Sequence, residues 1–316
     1  MNKKNIIFNL IVTLIAFLCF VLWYEQSESD SSKATVNMDR RYTVYLITTD
    51  KEYEYWQYIN KGATDMANLT DTKYRWEAPN QRNTQEQIQV LRKAVDDGAD
   101  AILIAVNDPR KLSGPIEDAK ARGVKFVYVD SPAMEEAVTT LATDNYSAGT
   151  LAGTSMLKEL NMKGIKEGDI GIFGVTPEYD ITMARERGFR DVIEKDGKFR
   201  LLNTIYKNGD QVDTEVAAEE LIGQNKNLVG LLGTNEGSTE GVGKAIQATK
   251  ANLVGIGFDQ TQENIKLYRS GAITALVLQN PYTMGYLGMA EAIASLRGYD
   301  TGPQYINTGT KLLEKN

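Results

Sequence analysis

Carboxylate, amide and guanidinium side chains recur in this sequence just after its apolar runs. Asp130 and Asn235 each follow such a run, and Asp259 and Gln279 follow two others. Arg185 lies early in a predicted helix, where its positive charge would balance the two aspartates. Each of these side chains offers at least two coplanar donors or acceptors, which can bridge neighbouring hydroxyl groups. The residue types therefore predict a binding site for an uncharged, polyhydroxylated molecule such as a small sugar.

Two aromatic residues, Tyr55 and Trp56, stand close behind the first apolar run. In a sugar site, such rings cover the apolar C–H face of the ligand while the surrounding walls exclude water. A simpler interpretation exists for each residue taken alone. An Asp or Asn after a strand is often a helix cap or a turn former, and an aromatic residue in a helix often packs in the core. Because several strand ends carry such residues at once, we favour the binding interpretation.

The elements that would position these residues alternate along the chain from residue 41 onward. Several short runs, for example residues 102–106, are continuously apolar. Such runs indicate strands buried on both faces of a parallel sheet that is covered by helices. Asp210 and Thr239 are N-cap candidates for two of the helices. The predicted strands cover residues 42–48, 74–78, 101–106, 125–129, 138–142, 169–173, 201–206, 228–232, 253–257 and 273–278, and the predicted helices include residues 85–97, 146–160, 210–223, 239–249 and 283–297.

The number of strands predicts the domain organisation. About ten strands are more than one compact sheet usually holds, so we expect an α/β fold with two doubly wound parallel-sheet lobes joined by a hinge. Ligands of such folds lie beyond the carboxyl ends of the strands, where the candidate residues stand. We expect residues 41–143 with 280–304 to form the N-terminal lobe, and residues 144–279 with 305–316 to form the C-terminal lobe.

The N-terminal segment, residues 1–24, is a predicted membrane anchor. Lys3 and Lys4 precede an apolar run over residues 6–24, and a polar, acidic linker follows over residues 25–40. The run is long enough to span a bilayer, and basic residues before it place the remainder of the chain outside the cytoplasm. The sequence therefore predicts a single-pass protein of the cell membrane with an extracellular or periplasmic binding domain. A cleaved signal peptide is the alternative.

Composition argues against several function classes. A net charge of −7 does not suit a nucleic-acid partner. The chain has no histidine, and its single cysteine, Cys19, lies in the apolar run, so we expect no internal disulfide, metal site or cofactor. The glycine-rich segments 237–245 and 255–257 depart from the phosphate-loop and dinucleotide patterns. Although Asp130 and Asp259 could form a glycosidase pair, we expect a binding protein and not an enzyme.

Four segments carry a resemblance to a known family. They are residues 143–149 (TDNYSAG), 184–189 (ARERGF), 254–259 (VGIGFD) and 275–281 (ALVLQNP). Together they resemble the ribose/xylose/galactose branch of the periplasmic sugar-binding proteins, which is related to the ligand domain of lactose-repressor-like regulators. The resemblance implies the type I binding-protein fold, and it covers the chain from about residue 41 to residue 309.

The resemblance also implies a role for each candidate residue. Tyr55 and Trp56 would sandwich the sugar ring, and Asp130 would bridge two of its hydroxyl groups. The remaining polar ligands, the last of them near the hinge, would be Arg185, Asn235, Asp259 and Gln279.

Three positions depart from the ribose-binding pattern of this family. Ser131 stands where an arginine would follow the first-lobe aspartate, and Gly209 stands where an aromatic residue is expected. Ala105 replaces an asparagine at the end of the third strand, with Asn107 two residues on as a substitute. The predicted pocket therefore differs from a strict ribose site, and we expect a pentose such as xylose or ribose.

The predicted N-terminal anchor favours a sensory role. A receptor tethered to the bilayer through residues 6–24 would close on its sugar and signal to a membrane histidine kinase, as the clostridial type of xylose-sensing binding protein does. The alternative is the substrate-binding component of an ABC sugar importer, in which the receptor meets an ABC permease. Such receptors often carry a lipid-modified cysteine, and the residues before Cys19 are too bulky for that signal. A transcription regulator would need a DNA-binding segment before Arg41, where the apolar run lies.

Overall fold

A computed structural model describes residues 41–315 together with Phe17. The elements below belong to one unit, residues 41–296 with 300–316. Within the described part of the chain, no helix is both long enough and apolar enough to span a bilayer. The predicted anchor at residues 6–24 falls outside the described residues except for Phe17, and the linker at residues 25–40 falls outside them entirely.

Strands and helices alternate along the described chain, as the periodicity predicts. The strands are β1 (Thr43–Ile47), β2 (Lys73–Glu77), β3 (Ala101–Ile104), β4 (Lys125–Val129), β5 (Thr140–Ala142), β6 (Gly168–Gly174), β7 (Phe199–Leu201), β8 (Ile205–Tyr206), β9 (Leu228–Gly233), β10 (Val254–Phe258), β11 (Ala275–Leu278), β12 (Tyr305–Asn307) and β13 (Lys311–Glu314). The helices are α1 (Glu54–Leu69), α2 (Thr84–Asp96), α3 (Pro109–Ala121), α4 (Asn145–Met162), α5 (Asp180–Asp196), α6 (Gln211–Gln224), α7 (Glu236–Thr249), α8 (Gln262–Ser270) and α9 (Pro281–Leu296).

The first sheet is parallel and has the strand order β12-β5-β4-β3-β1-β2. All four residues of β3 are fully buried, as expected for a strand with helices on both faces. On one face, α1 and α9 contribute Ile59 and Met289 to an apolar core. On the other face, α2 and α3 contribute Leu91 and Ile116 to a second core. The strand-end residues of this sheet therefore project from a scaffold that is packed on both sides.

The second sheet has the order β13-β11-β10-β9-β6-β7, and β8 also pairs with β6. Its face under α4 and α5 buries Ala152 and Phe189, and its face under α6, α7 and α8 buries Ala218, Val242 and Leu267. Among the described strands, β13 against β11 is the only antiparallel pair. The parallel α/β architecture expected from the sequence is therefore confirmed.

Two details of the predicted elements are wrong. The segment predicted as one strand over residues 201–206 forms the two short strands β7 and β8, both paired with β6. Thr239 does not cap a helix, because α7 begins three residues earlier and Asn235 accepts the capping hydrogen bond from Ser238 N–H. Asp210 does cap α6, as predicted.

The C-terminal segment passes from the first sheet to the second after β12, and not before residue 305 as the sequence predicts. The sequence places residues 305–316 with the C-terminal lobe, but β12 (Tyr305–Asn307) pairs with β5 of the first sheet. Only β13 joins the second sheet. A three-residue strand is too short to carry a periodicity signal, so the pairing of β12 depends on tertiary contacts.

Candidate ligand-binding site

A cavity lies where the carboxyl ends of strands from both sheets meet. The cavity brings together seven of the eight candidate residues, and Asn107 is the exception. Its lining consists of Tyr53, Tyr55, Trp56, Arg82, Asp130, Tyr179, Ile181, Thr182, Arg185, Asn235, Glu236, Asp259 and Gln279.

Two aspartates occupy equivalent positions at the ends of the two sheets. Asp130 directly follows β4 of the first sheet, and Asp259 directly follows β10 of the second. Both have left-handed backbone conformations, with φ of 65° and 73°, and both are at least 95% buried. Such conformations cost roughly 1–3 kcal/mol each in a non-glycine residue and cluster at functional sites. Asp71, Asn208 and Lys250 share this backbone conformation but are exposed, so it is the combination of a left-handed backbone with burial that distinguishes these two carboxylates.

Each aspartate is held by a neighbour in the cavity wall. Tyr55 donates its hydroxyl to Asp130 Oδ1 at 2.7 Å, and Gln279 donates its amide to Asp259 Oδ1 at 2.7 Å. Burial raises the pKa of both carboxyl groups, and the charge of Arg185 opposes that rise. The hydroxyl of Tyr179 lies 3.4 Å from the other oxygen of Asp130, so these contacts hold the carboxylates in fixed orientations at the cavity wall.

Arg185 projects from the first turns of α5 and is 98% buried. Its Nε donates to Asn145 Oδ1 at 2.8 Å, and its Nη1 donates to the carbonyl of Thr234 at 2.9 Å. The guanidinium carbon lies 4.5 Å from the ring centroid of Phe258. These contacts fix the guanidinium plane and compensate much of the cost of burying its charge.

Two glycines, Gly62 and Gly149, allow the helices that carry pocket residues to approach their neighbours closely. A Cβ at Gly62 of α1 would collide with the carbonyl of Tyr282 in α9, and a Cβ at Gly149 of α4 would collide with the carbonyl of Arg185 in α5. Helix α1 carries Tyr55, and helix α5 carries Arg185 itself. Close helix packing therefore fixes the position of both groups.

Tyr55 and Trp56 line the cavity, but they do not form the predicted sandwich. Their ring centroids are 5.0 Å apart and their planes meet at 81°, an edge-to-face contact that leaves no room for a sugar ring between them. Neighbouring residues of a helix project about 100° apart, so the two side chains leave α1 in different directions. Two further rings, those of Tyr53 and Tyr179, line the same cavity. A ligand that is stacked on both faces would therefore need at least one of these two rings in addition to Tyr55 or Trp56.

Gln279 and Asn235 contribute amide groups to the lining. The carbonyl oxygen of Gln279 accepts from the hydroxyl of Thr143 at 2.8 Å and from that of Tyr55 at 3.4 Å. Asn235 caps α7 with its side-chain carbonyl oxygen, which accepts a hydrogen bond from Ser238 N–H at 3.1 Å. This bond does not use the side-chain NH₂ group. The helix-capping and cavity-lining interpretations of Asn235 are therefore compatible.

Asn107 lies behind the cavity wall and not in it. Its amide nitrogen donates to the carbonyl of Thr49 at 3.1 Å, and its backbone N–H donates to Gln87 Oε1 at 2.9 Å. These bonds tie the end of β3 to the end of β1 and to α2. Asn107 therefore supports the loop that leads into α1, and the structure does not bring it together with the other candidates.

The comparison with known proteins agrees with this architecture. The sequence model of the periplasmic binding protein domain matches residues 44–300. The chain belongs to the periplasmic binding protein family. Together with the two parallel sheets, this match confirms the type I fold and the family that the four sequence segments indicated.

Relatives and solved structures of this family cover most of the chain. The ribose import binding protein of Bacillus subtilis is 26% identical over 219 residues, which are 69% of this chain and 70% of the relative. The xylose/arabinose-binding protein of Sulfolobus acidocaldarius is 23% identical over 287 residues, 84% of this chain and 69% of the relative. A carbohydrate transporter solute-binding protein from Agrobacterium radiobacter, solved in complex with D-arabinose, superposes with a TM-score of 0.83 at 29% identity, covering 88% of this chain and 95% of that one.

Arg82 is a cavity residue that the sequence did not indicate. It comes from the loop between β2 and α2, and its guanidinium carbon lies 4.6 Å from the ring centroid of Tyr179. Its Nη2 is 3.8 Å from Asp50 Oδ2, while its Nε and Nη1 are buried without a hydrogen-bond partner among the described residues. In the ribose-binding pattern an arginine stands at the position of Ser131, whereas the guanidinium of Arg82 reaches this cavity from the loop between β2 and α2. Its one signal in the sequence is its place a few residues after the predicted strand at residues 74–78.

Gly209 has a conformation and surroundings that exclude the aromatic residue expected there. Its φ is +70°, and a Cβ would lie 2.7 Å from the side-chain nitrogen of Asn235. Tyr53 reaches this wall from the opposite sheet and donates its hydroxyl to the Gly209 carbonyl at 2.9 Å. The ring at this end of the cavity therefore comes from the loop before α1, which no pattern around Gly209 could predict.

Proposed function

We propose that this protein is an extracytoplasmic receptor for a small neutral sugar, of pentose size, and not an enzyme. The observation that carries the proposal is the pair of buried, left-handed aspartates, Asp130 and Asp259, at one cavity between two sheets. Carboxylates fixed in this way suit bidentate recognition of vicinal hydroxyls. Relatives that are named for ribose and for xylose and arabinose support this ligand class.

The charges in the cavity wall favour an uncharged ligand. Arg82 and Arg185 supply two positive charges, and Asp130 and Asp259 supply two negative ones. Burial raises the pKa of the third wall carboxyl, Glu236, to about 8, so this group is largely neutral at pH 7. The wall is therefore close to neutral, and a charged ligand would add an uncompensated charge to a buried site.

The lobes of this receptor are centred on the two sheets. We propose residues 41–143 with 280–307 for the first lobe and residues 144–279 with 308–316 for the second, which moves the last boundary to include β12 in the first lobe. Thr143 and Gln279, at two of the three crossings, are joined by a 2.8 Å hydrogen bond. This crossing region is the proposed hinge, and Gln279 links it to the cavity.

Closure of the lobes is the proposed response to the sugar. Several contacts in the structure join the two lobes, including Tyr53 to Gly209 and the hydroxyl of Tyr179 to Asp130 at 3.4 Å. A sugar that contacts both aspartates binds the closed form better than an open one, so it shifts the population toward closure.

We further propose that the receptor delivers its sugar to an ABC permease. The relatives are named as import binding proteins, which favours this role over the sensory role with a histidine kinase that the sequence predicted. The sensory role rests on the apolar segment 6–24 and the missing lipid signal around Cys19. A deletion strain that loses sugar uptake supports the importer role. A strain that keeps uptake but loses sugar-dependent gene induction supports the sensory role.

A thermal-shift screen tests the proposed binding activity. The full-length protein in mild detergent is heated with D-ribose, D-xylose, L-arabinose, D-galactose and, as a charged control, D-galacturonate. A sugar at a hundred times its Kd stabilises the folded state by about 2.7 kcal/mol, which is several degrees in Tm. We expect at least one neutral monosaccharide to give this shift. The absence of a shift with every neutral sugar would contradict the proposal.

A further inference from the structure

Glu236 of the second lobe caps a helix of the first lobe. It is the first residue of α7, and its two carboxylate oxygens accept hydrogen bonds from the backbone N–H groups of Glu54 at 3.1 Å and Tyr55 at 3.0 Å. These two residues open α1. The first N–H groups of a helix have no partner within the helix, and Tyr53, at the N-cap position, makes no side-chain capping bond within the described part of the chain. Glu236 therefore supplies from the opposite lobe the cap that α1 lacks.

Glu54 makes the reciprocal contact. Its Oε2 accepts the backbone N–H of Gln262, the first residue of α8 in the second lobe, at 2.9 Å. The hydroxyl of Tyr58, one turn further along α1, donates to Glu54 Oε1 at 3.0 Å and holds the carboxylate in this direction. Each lobe thus presents a carboxylate from the first position of one of its helices to the first N–H groups of a helix in the other lobe.

This exchange has a consequence for the site because α1 carries Tyr55 and Trp56. One of the two N–H groups that donate to Glu236 is that of Tyr55, whose hydroxyl donates to Asp130. Both cross-lobe caps depend on the lobes being together, because separation would expose the N–H groups and the carboxylates to water.

We propose that Glu236 and Glu54 are positioning residues that cap helices of the opposite lobe in the closed form and so hold Tyr55 and Trp56 in place when the receptor closes. The proposal rests on the proposed function in one respect, namely that closure accompanies sugar binding. A helix cap changes a folding or closing equilibrium by up to roughly tenfold or somewhat more. We therefore expect each cap to shift the ratio of closed to open protein by about this factor.

The test measures closure and sugar release separately. Spin labels at Leu69→Cys on α1 and Met162→Cys on α4, in a Cys19→Ser background, report the distance between the lobes by double electron–electron resonance. Both label positions are more than 60% exposed. Stopped-flow release of the sugar found in the thermal-shift screen gives the dissociation rate. The variants are Glu236→Ala, Glu236→Gln and Glu54→Ala, with Glu263→Gln as the matched control.

Glu263 is a suitable control because it lies in the first turn of α8 and pairs with Lys266 of its own helix. We expect Glu236→Ala and Glu54→Ala to lower the closed-to-open ratio and to speed sugar release by about tenfold. Glu236→Gln, which keeps one acceptor oxygen, should lie between Glu236→Ala and the wild type. Glu263→Gln should match the wild type. If these variants acted only by destabilising the fold, the Tm of the sugar-free protein would fall in step with the change in sugar release.

The outcomes separate this proposal from the proposed function. If the wild type closes and releases sugar normally and Glu236→Ala does the same, the positioning role is wrong while the receptor function stands. If the wild type binds no sugar but still samples a closed distance that Glu236→Ala abolishes, the caps are supported and the sugar proposal fails. A wild type with no closed population, with or without sugar, would overturn both.

Discussion

Replacing Asp259 by glycine should separate the stability of the fold from its ability to bind sugar. The aspartate has φ of 73°, a conformation that glycine adopts without strain, so the change relieves roughly 1 kcal/mol of backbone strain. It also removes the 2.7 Å hydrogen bond from Gln279 to the carboxylate, which contributes about 1.5–3 kcal/mol. The two effects have opposite signs. We therefore expect the free energy of unfolding of the free protein to fall by no more than about 2 kcal/mol.

The effect of Asp259→Gly on the sugar should be much larger. A buried carboxylate that accepts from sugar hydroxyls contributes about 1.5–3 kcal/mol per hydrogen bond, and glycine supplies no replacement acceptor. We expect the Kd to rise by about thirtyfold or more, which corresponds to roughly 2 kcal/mol. Titration calorimetry gives the Kd, and urea unfolding of the free protein gives its stability.

A second left-handed position provides the control. Lys250, the C-cap of α7, has φ of 53° and lies outside the cavity. Lys250→Gly relieves roughly 1–2 kcal/mol of left-handed strain and adds roughly 0.5–1 kcal/mol of unfolded-chain entropy, so it should change the stability by no more than about 1 kcal/mol and leave the Kd unchanged. An Asp259→Gly protein that folds and binds sugar with the wild-type Kd would refute the role assigned to this carboxylate.

Three further predictions concern other groups in the cavity. Arg82→Met should weaken sugar binding by about tenfold or more, because the sugar loses the donors of a buried guanidinium. An unchanged Kd in calorimetry would exclude a contact between Arg82 and the sugar. Burial raises the pKa of Glu236 from 4.5 to about 8, so the folded protein keeps a proton that the unfolded chain releases, and stability in urea should fall as the pH rises from about 4.5 to 8. Glu236→Gln should flatten this slope, and an equally steep slope in the variant would contradict the assignment. Sugar should change the tryptophan fluorescence of the wild type and of a Trp76→Phe variant but not of Trp56→Phe, and a change that survives Trp56→Phe would place the responding ring elsewhere.

Much of the fold follows from local patterns in the sequence. The continuous apolar run of β3 is typical of a strand that is covered on both faces, and it predicts parallel sheets with helices on both sides. The structure has such sheets, and β3 is fully buried. The candidate residues Asp130 and Asp259 follow from the same logic, because the end of a parallel strand is where a ligand can approach. The combination of a left-handed backbone with burial, which distinguishes them from ordinary caps, is a property of the folded chain that the sequence does not display.

The residues that the sequence did not indicate depend on contacts between distant segments. Arg82 and Tyr179 meet across the two lobes, from loops nearly a hundred positions apart, so neither has a local signal. Glu236 looks like an ordinary acidic residue in the first turn of its helix, and its partners on α1 are 181 and 182 positions away. The predicted Tyr55-Trp56 sandwich was wrong because the two rings meet edge to face, which their adjacency in the sequence does not reveal.

Titration calorimetry of the full-length protein with the neutral monosaccharide that gives the largest thermal shift tests the central claim most directly. We predict binding of one sugar per chain, and at least a thirtyfold loss of affinity when either Asp130 or Asp259 is replaced by asparagine, which keeps the side-chain shape but not the charge. One sugar held by an aspartate from each lobe requires both variants to be affected. Wild-type affinity in both variants, or the absence of any heat from the wild type, would contradict the account.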